Sequence, residues 1–243
     1  MSIVAEKVSY VYMPGSPFEA EALSDVSFTI EDGEFVGVIG HTGSGKSTLV
    51  QHFNALIKPT SGKMTVQGVD IGEKGVSLNS LRQKVGLVFQ YPEYQLFEET
   101  VEKDVAFGPQ NLGLPEEEIQ NRVAEAMRLV GLDQKKIGAR SPFELSGGQR
   151  RRVALAGVLA MNPEVLILDE PSAGLDPHGR NEILALVSAI HEERGCTVIM
   201  VSHSMDEVAR VASRVMVMNH GHLVMDGTPR QVYTQGDQLQ QIG

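Results

Sequence analysis

One uninterrupted run carries the densest chemistry in this chain: Gly40-His41-Thr42-Gly43-Ser44-Gly45-Lys46-Ser47-Thr48. It fits G-x-x-x-x-G-K-[ST], a loop whose backbone N–H groups cradle phosphate oxygens. Gly40, Gly43 and Gly45 carry no Cβ, so the main chain can close on a phosphate without a clash. Lys46 offers a compact cation to the outer phosphates. Ser47 offers a hydroxyl to Mg²⁺, and Thr48 a second hydroxyl to phosphate. A helix beginning at Lys46 would add its N-terminal dipole. These residue types in this order point to binding of a nucleoside triphosphate with its metal.

A second motif stands far along the chain, Leu145-Ser146-Gly147-Gly148-Gln149. It resembles the signature of ATP-binding cassette (ABC) ATPases. In that family the signature closes over ATP held by a second subunit. The resemblance implies that Ser146 and Gly148 hydrogen-bond the γ-phosphate in trans, with Gly147 and Gln149 completing the element. Arg150-Arg151-Arg152 follows and is read as a short basic turn near anionic nucleotide rather than as a nucleic-acid contact.

Other segments fall into the same pattern. Val165-Leu166-Ile167-Leu168-Asp169-Glu170 resembles a Walker B segment. A buried strand seldom ends in two acids unless something pairs with them. Asp169 would hold Mg²⁺ through water, and Glu170 would polarise the attacking water, a role contributing about 10²- to 10⁴-fold. Pro171-Ser172-Ala173-Gly174-Leu175-Asp176-Pro177 resembles the D loop, which implies Asp176 at the subunit interface. A plain Asp-Pro turn explains that stretch equally well locally. His203 matches the switch histidine that reaches the γ-phosphate. Gln90 matches the Q-loop glutamine, which senses Mg²⁺ and water. Tyr12 matches the aromatic that stacks on adenine, with Tyr10 and Phe18 as competitors and an ordinary strand aromatic as the plain alternative.

The elements that must position these residues are visible in the patterning. Val4 to Tyr12 and Leu23 to Ile30 alternate as half-buried antiparallel strands do. The continuous apolar run ending at Ile39 leads into the glycine-rich loop, and a helix is expected from Lys46. Val165–Leu168 and Thr197–Val201 read as buried strands, with a helix between them presenting Ile183, Val187 and Ile190. Glu116 to Val130 has helical periodicity between Pro115 and Gly131. The patterning implies an α/β fold, and the resemblance implies a P-loop ABC nucleotide-binding domain with an antiparallel β subdomain and an inserted helical subdomain. Residues 1–243 are expected to form one such domain, with 1–90 and 150–230 as the ATP-binding core and 91–149 as the helical subdomain carrying the signature. The alternation around Asn219-His220-Gly221-His222 reads as a hairpin with Met216, Met218 and Met225 toward its buried face, in preference to a metal site.

Composition narrows the function classes. The 243 residues carry a formal net charge of −10, which argues against nucleic acid as a partner. The one cysteine, Cys196, sits in an apolar run and reads as a small buried hydrophobe, consistent with a reducing compartment. The start of the chain lacks the build of a signal peptide. No apolar stretch approaches the ~20 residues that cross a bilayer, so a membrane role would come through a partner.

The finer resemblance is to the ATPase subunits of energy-coupling factor (ECF) transporters, in particular the second, A-prime type. It rests on Tyr12-Met13-Pro14-Gly15-Ser16-Pro17-Phe18, Gly40-His41-Thr42-Gly43 and Gln90-Tyr91-Pro92-Glu93-Tyr94-Gln95-Leu96-Phe97-Glu98-Glu99-Thr100-Val101. It implies an ATP- and Mg²⁺-dependent subunit at the cytoplasmic face of the cell membrane, powering uptake of vitamins or other micronutrients. The implied partners are a sibling ATPase or a second copy of itself, a transmembrane T subunit and exchangeable substrate-binding S proteins. The docking groove would involve Tyr91, Pro92, Tyr94, Leu96 and Phe97. An ATPase of another ABC transporter is the alternative, and a soluble ABC ATPase acting on nucleic acid or ribosomes a more distant one. Family members usually continue into a C-terminal extension. Residues 231–243 read as its start, either truncated or short in this member.

Overall fold

The structure is a computed structural model that describes residues 2–236 and 239. Strands β1 (Ile3–Tyr12) and β2 (Ala20–Ile30) are followed by the apolar β3 (Phe35–Ile39) and helix α1 (Lys46–Phe53). Then come β4 (Ser61–Val66), β5 (Val69–Asp70), α2 (Asn79–Lys84) and β6 (Val85–Val88). A helical stretch follows, with α3 (Val101–Asn111), α4 (Glu116–Leu129), α5 (Gln134–Ile137) and α6 (Gly147–Leu159). The chain continues through β7 (Val165–Asp169), α7 (Pro177–Arg194), β8 (Thr197–Val201), α8 (Met205–Val211), β9 (Arg214–Asn219), β10 (His222–Gly227) and α9 (Pro229–Tyr233).

The strands form two sheets. The smaller is antiparallel, in the order β2-β1-β4-β5. The larger has the order β10-β9-β3-β8-β7-β6 and is parallel except for β10 at one edge. Its central strands are buried on both faces, which is why their sequences do not alternate. On β3, Phe35 and Ile39 join the core under the helices, whereas Val36 and Val38 join the core under the antiparallel sheet. On β7, Leu166 and Leu168 face the helices while Val165 and Ile167 face the other way. The β9–β10 hairpin turns through His220 and Gly221, both at positive φ, and buries Met216 and Met218. Among the described residues no three or more His, Cys, Asp or Glu side chains gather as a metal-ligating group.

Helix α4 buries Ile119, Val123, Ala126 and Met127, and Gly131 at φ +69° ends its run. One boundary needs correction. The division expected between residues 149 and 150 falls inside the first turn of α6, which runs unbroken from Gly147 to Leu159. A capping box starts that helix: Ser146 accepts from the Gln149 N–H while the Gln149 side chain accepts from the Ser146 N–H. Farther along, its Val158 packs on β6 so closely that a Cβ on Gly86 would lie 2.5 Å from Val158 Cγ1. The signature helix therefore spans both layers.

Toward the chain end, Val232 of α9 and Leu239 are buried. The rest of the expected extension, residues 237–238 and 240–243, lies outside the described residues. No described helix is long and apolar enough to cross a membrane.

Candidate active site

Four neighbouring strands of the larger sheet, β3, β8, β7 and β6, deliver the candidate residues from their C-terminal ends. β3 runs into Gly40–Lys46, β8 into Ser202 and His203, β7 ends at Asp169 and Glu170, and β6 leads to Gln90. Parallel sheets place ligands at this edge, where adjacent strands leave in different directions. Residues scattered over more than 160 positions of sequence are thus brought to one line by strand order alone.

The glycine-rich loop is held in an unusual backbone path. Gly40, Gly43 and Gly45 have φ of +148°, +81° and +101°, and a Cβ on Gly45 would lie 2.6 Å from the Ala22 carbonyl oxygen. Only glycine takes this path without strain. Lys46 donates from Nζ to the Gly40 and His41 carbonyls at 2.7 and 2.9 Å. Burial pushes its pKa down, opposed by the nearby Glu170 and Asp169 charges. The hairpin pins the loop from outside: Gly221 N–H donates to the Ser44 carbonyl, and His41 Nε2 lies 3.0 Å from Asn219 Oδ1. Thr42 stays exposed beside it, its carbonyl bonded to His41 Nδ1 at 2.7 Å.

Tyr12 joins this site through its hydroxyl, 3.1 Å from Thr48 Oγ1. Tyr10 supports it edge-on, with ring centroids 4.8 Å apart, and itself rests on the buried His52. Of the competing aromatics, Tyr10 packs against the core and Phe18 stands almost free on the β1–β2 loop.

At the strand ends, burial raises the Asp169 pKa, and the neighbouring Ser47 hydroxyl and the Lys46 charge moderate the rise. Burial likewise raises Glu170, with His203 opposing. Glu170 sits at φ +52°, a left-handed conformation that costs a non-glycine residue about 1–3 kcal/mol. Its N–H is anchored on the Val201 carbonyl at 3.0 Å. Oε1 lies 3.1 Å from His203 Nε2, yet outside hydrogen-bond geometry, so this buried acceptor makes no hydrogen bond. A carboxylate oxygen kept in this condition is available to accept a proton.

The remaining candidates lie in the helical layer. Ser146 and Gln149 bond to each other, and a Cβ on Gly147 or Gly148 would meet nothing within 4 Å. Asp176 caps α7, accepting from the Gly179 N–H at 2.7 Å. Gln90 is exposed just before Tyr91, which has φ +55° and whose ring leans on Gly174. Two docking candidates are corrected: Pro92 and Leu96 are buried, and Leu96, at 6% exposure, packs into the core under the helices. Tyr91, Tyr94 at 79% and Phe97 at 58% remain exposed. Phe107, which the sequence reading missed, meets Phe97 edge-on at 4.9 Å; its exposed place on α3 depends on tertiary packing. The basic triplet is also corrected. Arg151 is buried against Glu93, and Arg152 pairs with Glu182 at 3.0 Å, so two of the three arginines are spent on internal partners. A further residue without a sequence signal is Glu207, a buried carboxylate accepting from Ser172 Oγ at 2.6 Å and Ser202 Oγ at 3.1 Å.

Comparison with known proteins places this arrangement. The ABC transporter family pattern matches residues 23–173, from β2 to the turn after Glu170. The chain belongs to the ABC transporter ATPases. Within that family it is 59% identical over 243 residues to an energy-coupling factor transporter ATP-binding protein of Clostridium perfringens, covering all of this chain and 85% of the relative. A Listeria monocytogenes protein of the same description is 54% identical over 245 residues, with the same coverage. Among solved structures, cbiO1 of Clostridium perfringens, part of the ABC transporter complex cbiONQ, superposes with a TM-score of 0.86 at 38% identity, covering 99% of this chain and 93% of that one. The cassette MJ0796, as a post-hydrolysis dimer bound to ADP and phosphate, gives 0.80 at 29% identity, covering 94% and 99%. This chain is an ATP-binding subunit of the ECF transporter family, an ATPase whose hydrolysis is coupled to transport.

Proposed function

We propose that this subunit hydrolyses MgATP at the C-terminal edge of its parallel sheet and transmits the resulting movement through the aromatic segment 91–97 to a transmembrane T subunit. The observation that carries the reading is the convergence of Lys46 and Ser47, His203, Asp169 and Glu170, and Gln90 on four adjacent strand ends. The glycine loop and Lys46 hold the triphosphate, Thr48 adds a hydroxyl, and Tyr12 stacks on adenine. Glu170 takes a proton from water as its oxygen attacks the γ-phosphorus, and the bond to the bridging oxygen of ADP breaks. Burial brings Glu170 closer to neutrality and so makes it a better base at physiological pH. His203 steadies the charge that forms beside it.

The donor set fits Mg²⁺. Ser47 and Asp169 are neighbouring oxygen donors of the kind a hard dication takes, with Gln90 at the next strand end. When bound there, Mg²⁺ would neutralise charge on the phosphates.

Each site is completed in trans. The open N-terminus of α6, with Ser146, Gly147, Gly148 and Gln149, would meet ATP on a second subunit, and Asp176 would lie at that interface. We take the second subunit to be a sibling ATPase, the pair sitting on the cytoplasmic face of the membrane with T and S partners for vitamin or micronutrient uptake. Phosphate release by the purified ATPase pair tests the chemistry. Lys46→Ala in this chain should abolish its ATP binding, and removing Mg²⁺ should stop hydrolysis; turnover without Mg²⁺ would reject the site.

A further inference from the structure

Arg151 is one turn into the signature helix and only 5% exposed. Its guanidinium bridges segments remote in sequence. Nε and Nη2 donate to the Glu93 carboxylate at 3.1 and 3.0 Å, a bidentate fork. Nη1 donates to the Pro171 and Ala173 carbonyls, each at 3.0 Å. Glu93 lies between Tyr91 and Tyr94, inside the exposed aromatic segment. Pro171 directly follows Glu170. One rigid, planar group thus ties the aromatic segment, the signature helix and the turn after the proposed base.

The far side of that turn is fixed as well. Ser172 bonds to Glu207, which also accepts from Ser202 next to His203. The turn 171–173 is therefore held between Arg151 and Glu207, and Glu170 at its start occupies the strained left-handed backbone already described. A small shift of the Glu93 side would be transmitted by the fork as a rotation of the turn, because the buried guanidinium has no solvent to exchange partners with.

We propose that Arg151 is a positioning residue: through Glu93 it sets the turn after Glu170 according to the state of the aromatic segment. The link to membrane docking rests on the docking reading above; the positioning of Glu170 does not. Lysine could not replace it, since a point cation cannot hold a carboxylate and two carbonyls in one plane.

The test uses the whole transporter complex with Glu93→Gln, Arg151→Lys and the double variant, reading kcat, KM for MgATP and melting temperature. Each single variant should lower kcat about tenfold or more with KM changed less than about twofold, as misplacement of a reacting group does. The double variant should be no worse than the worse single one, because both changes break one link. If Arg151→Lys fails to fold, Glu93→Gln, which keeps an acceptor of the same length, carries the test. Unchanged kcat, losses that multiply in the double variant, or a kcat loss tracking a lower melting temperature and a higher KM would overturn the assignment. Tyr94→Ala in the same preparation separates the two readings. Loss of the membrane subunits there, with normal turnover by the Glu93 and Arg151 variants, keeps docking and rejects the positioning role. An intact Tyr94→Ala complex alongside impaired Glu93 and Arg151 variants rejects docking and keeps the positioning role.

Discussion

The strand-end edge and the helical layer of this subunit present different kinds of surface. At the edge, Lys46 is bonded to loop carbonyls, Ser44 to the hairpin and Thr48 to Tyr12, all within the chain. In the helical layer, Gly147 and Gly148 face open space and Tyr94 and Phe97 stand exposed. The first region is organised before any partner arrives, as a site that must hold charge without reorganising should be. The second presents surfaces that make sense only against another molecule. A contiguous apolar patch on a protein surface commonly marks such a contact.

If the edge alone carries the chemistry, Glu170→Gln should keep ATP binding but lose turnover by about 10²- to 10⁴-fold, measured as phosphate release against nucleotide affinity. Near-normal hydrolysis would remove Glu170 from the mechanism. Tyr12→Ala should weaken ATP binding by about 1–3 kcal/mol, the worth of a base–aromatic stack, whereas Tyr12→Phe loses only the Thr48 contact and should bind nearly as well. An equal loss in both would mean that the hydroxyl, and not the ring, matters. On the other side of the comparison, we predict that Tyr94→Ala or Phe97→Ala weakens assembly with membrane subunits about tenfold or more, as loss of an interface anchor does, with basal ATPase kept. Loss of ATP binding in those variants would join the two regions and break the distinction drawn here.

The smallest effect concerns pH. Burial raises the Glu170 pKa above its ordinary 4.5, so the folded protein holds that proton more tightly than the unfolded chain. Stability should therefore fall as pH rises from the unfolded value through the folded one, and the full penalty persists above it. Glu170→Gln should raise the melting temperature of the nucleotide-free protein at neutral pH, and the gain should shrink as pH is lowered toward 4.5. A gain that grows on acidification would contradict the burial argument.

Contiguous chemistry was legible in the residues themselves; the assembled site, with Gln90 and His203, was reached only through the resemblance, and its internal bridges not at all. Gly40 to Thr48 declare themselves because one loop does the whole task, and Asp169 and Glu170 because acids ending an apolar strand are unusual. The paired sheets followed from alternation in β1 and β2 and its absence in β3, β7 and β8. Leu96 and Phe97 are neighbours of similar type, and only the packing of the helical core decides that one is buried and the other exposed. The Arg151 bridge joins positions 58 and 20 residues apart, and no local pattern distinguishes it from Arg150 beside it. Glu207 is hidden for the same reason: its partners Ser172 and Ser202 meet it only once β7 and β8 pair.

The central claim is that this ATPase is built to work against a membrane subunit. The most direct measurement is to recover the chain from solubilised membranes, as wild type and as Tyr94→Ala, and identify every partner by mass spectrometry. The account predicts a second ATP-binding subunit, one polytopic membrane protein and a set of small membrane proteins with the wild type, and loss of the membrane proteins with Tyr94→Ala. Recovery of ribosomes, of nucleic acid, or of this chain alone would leave the hydrolytic site standing and contradict the account of what it drives.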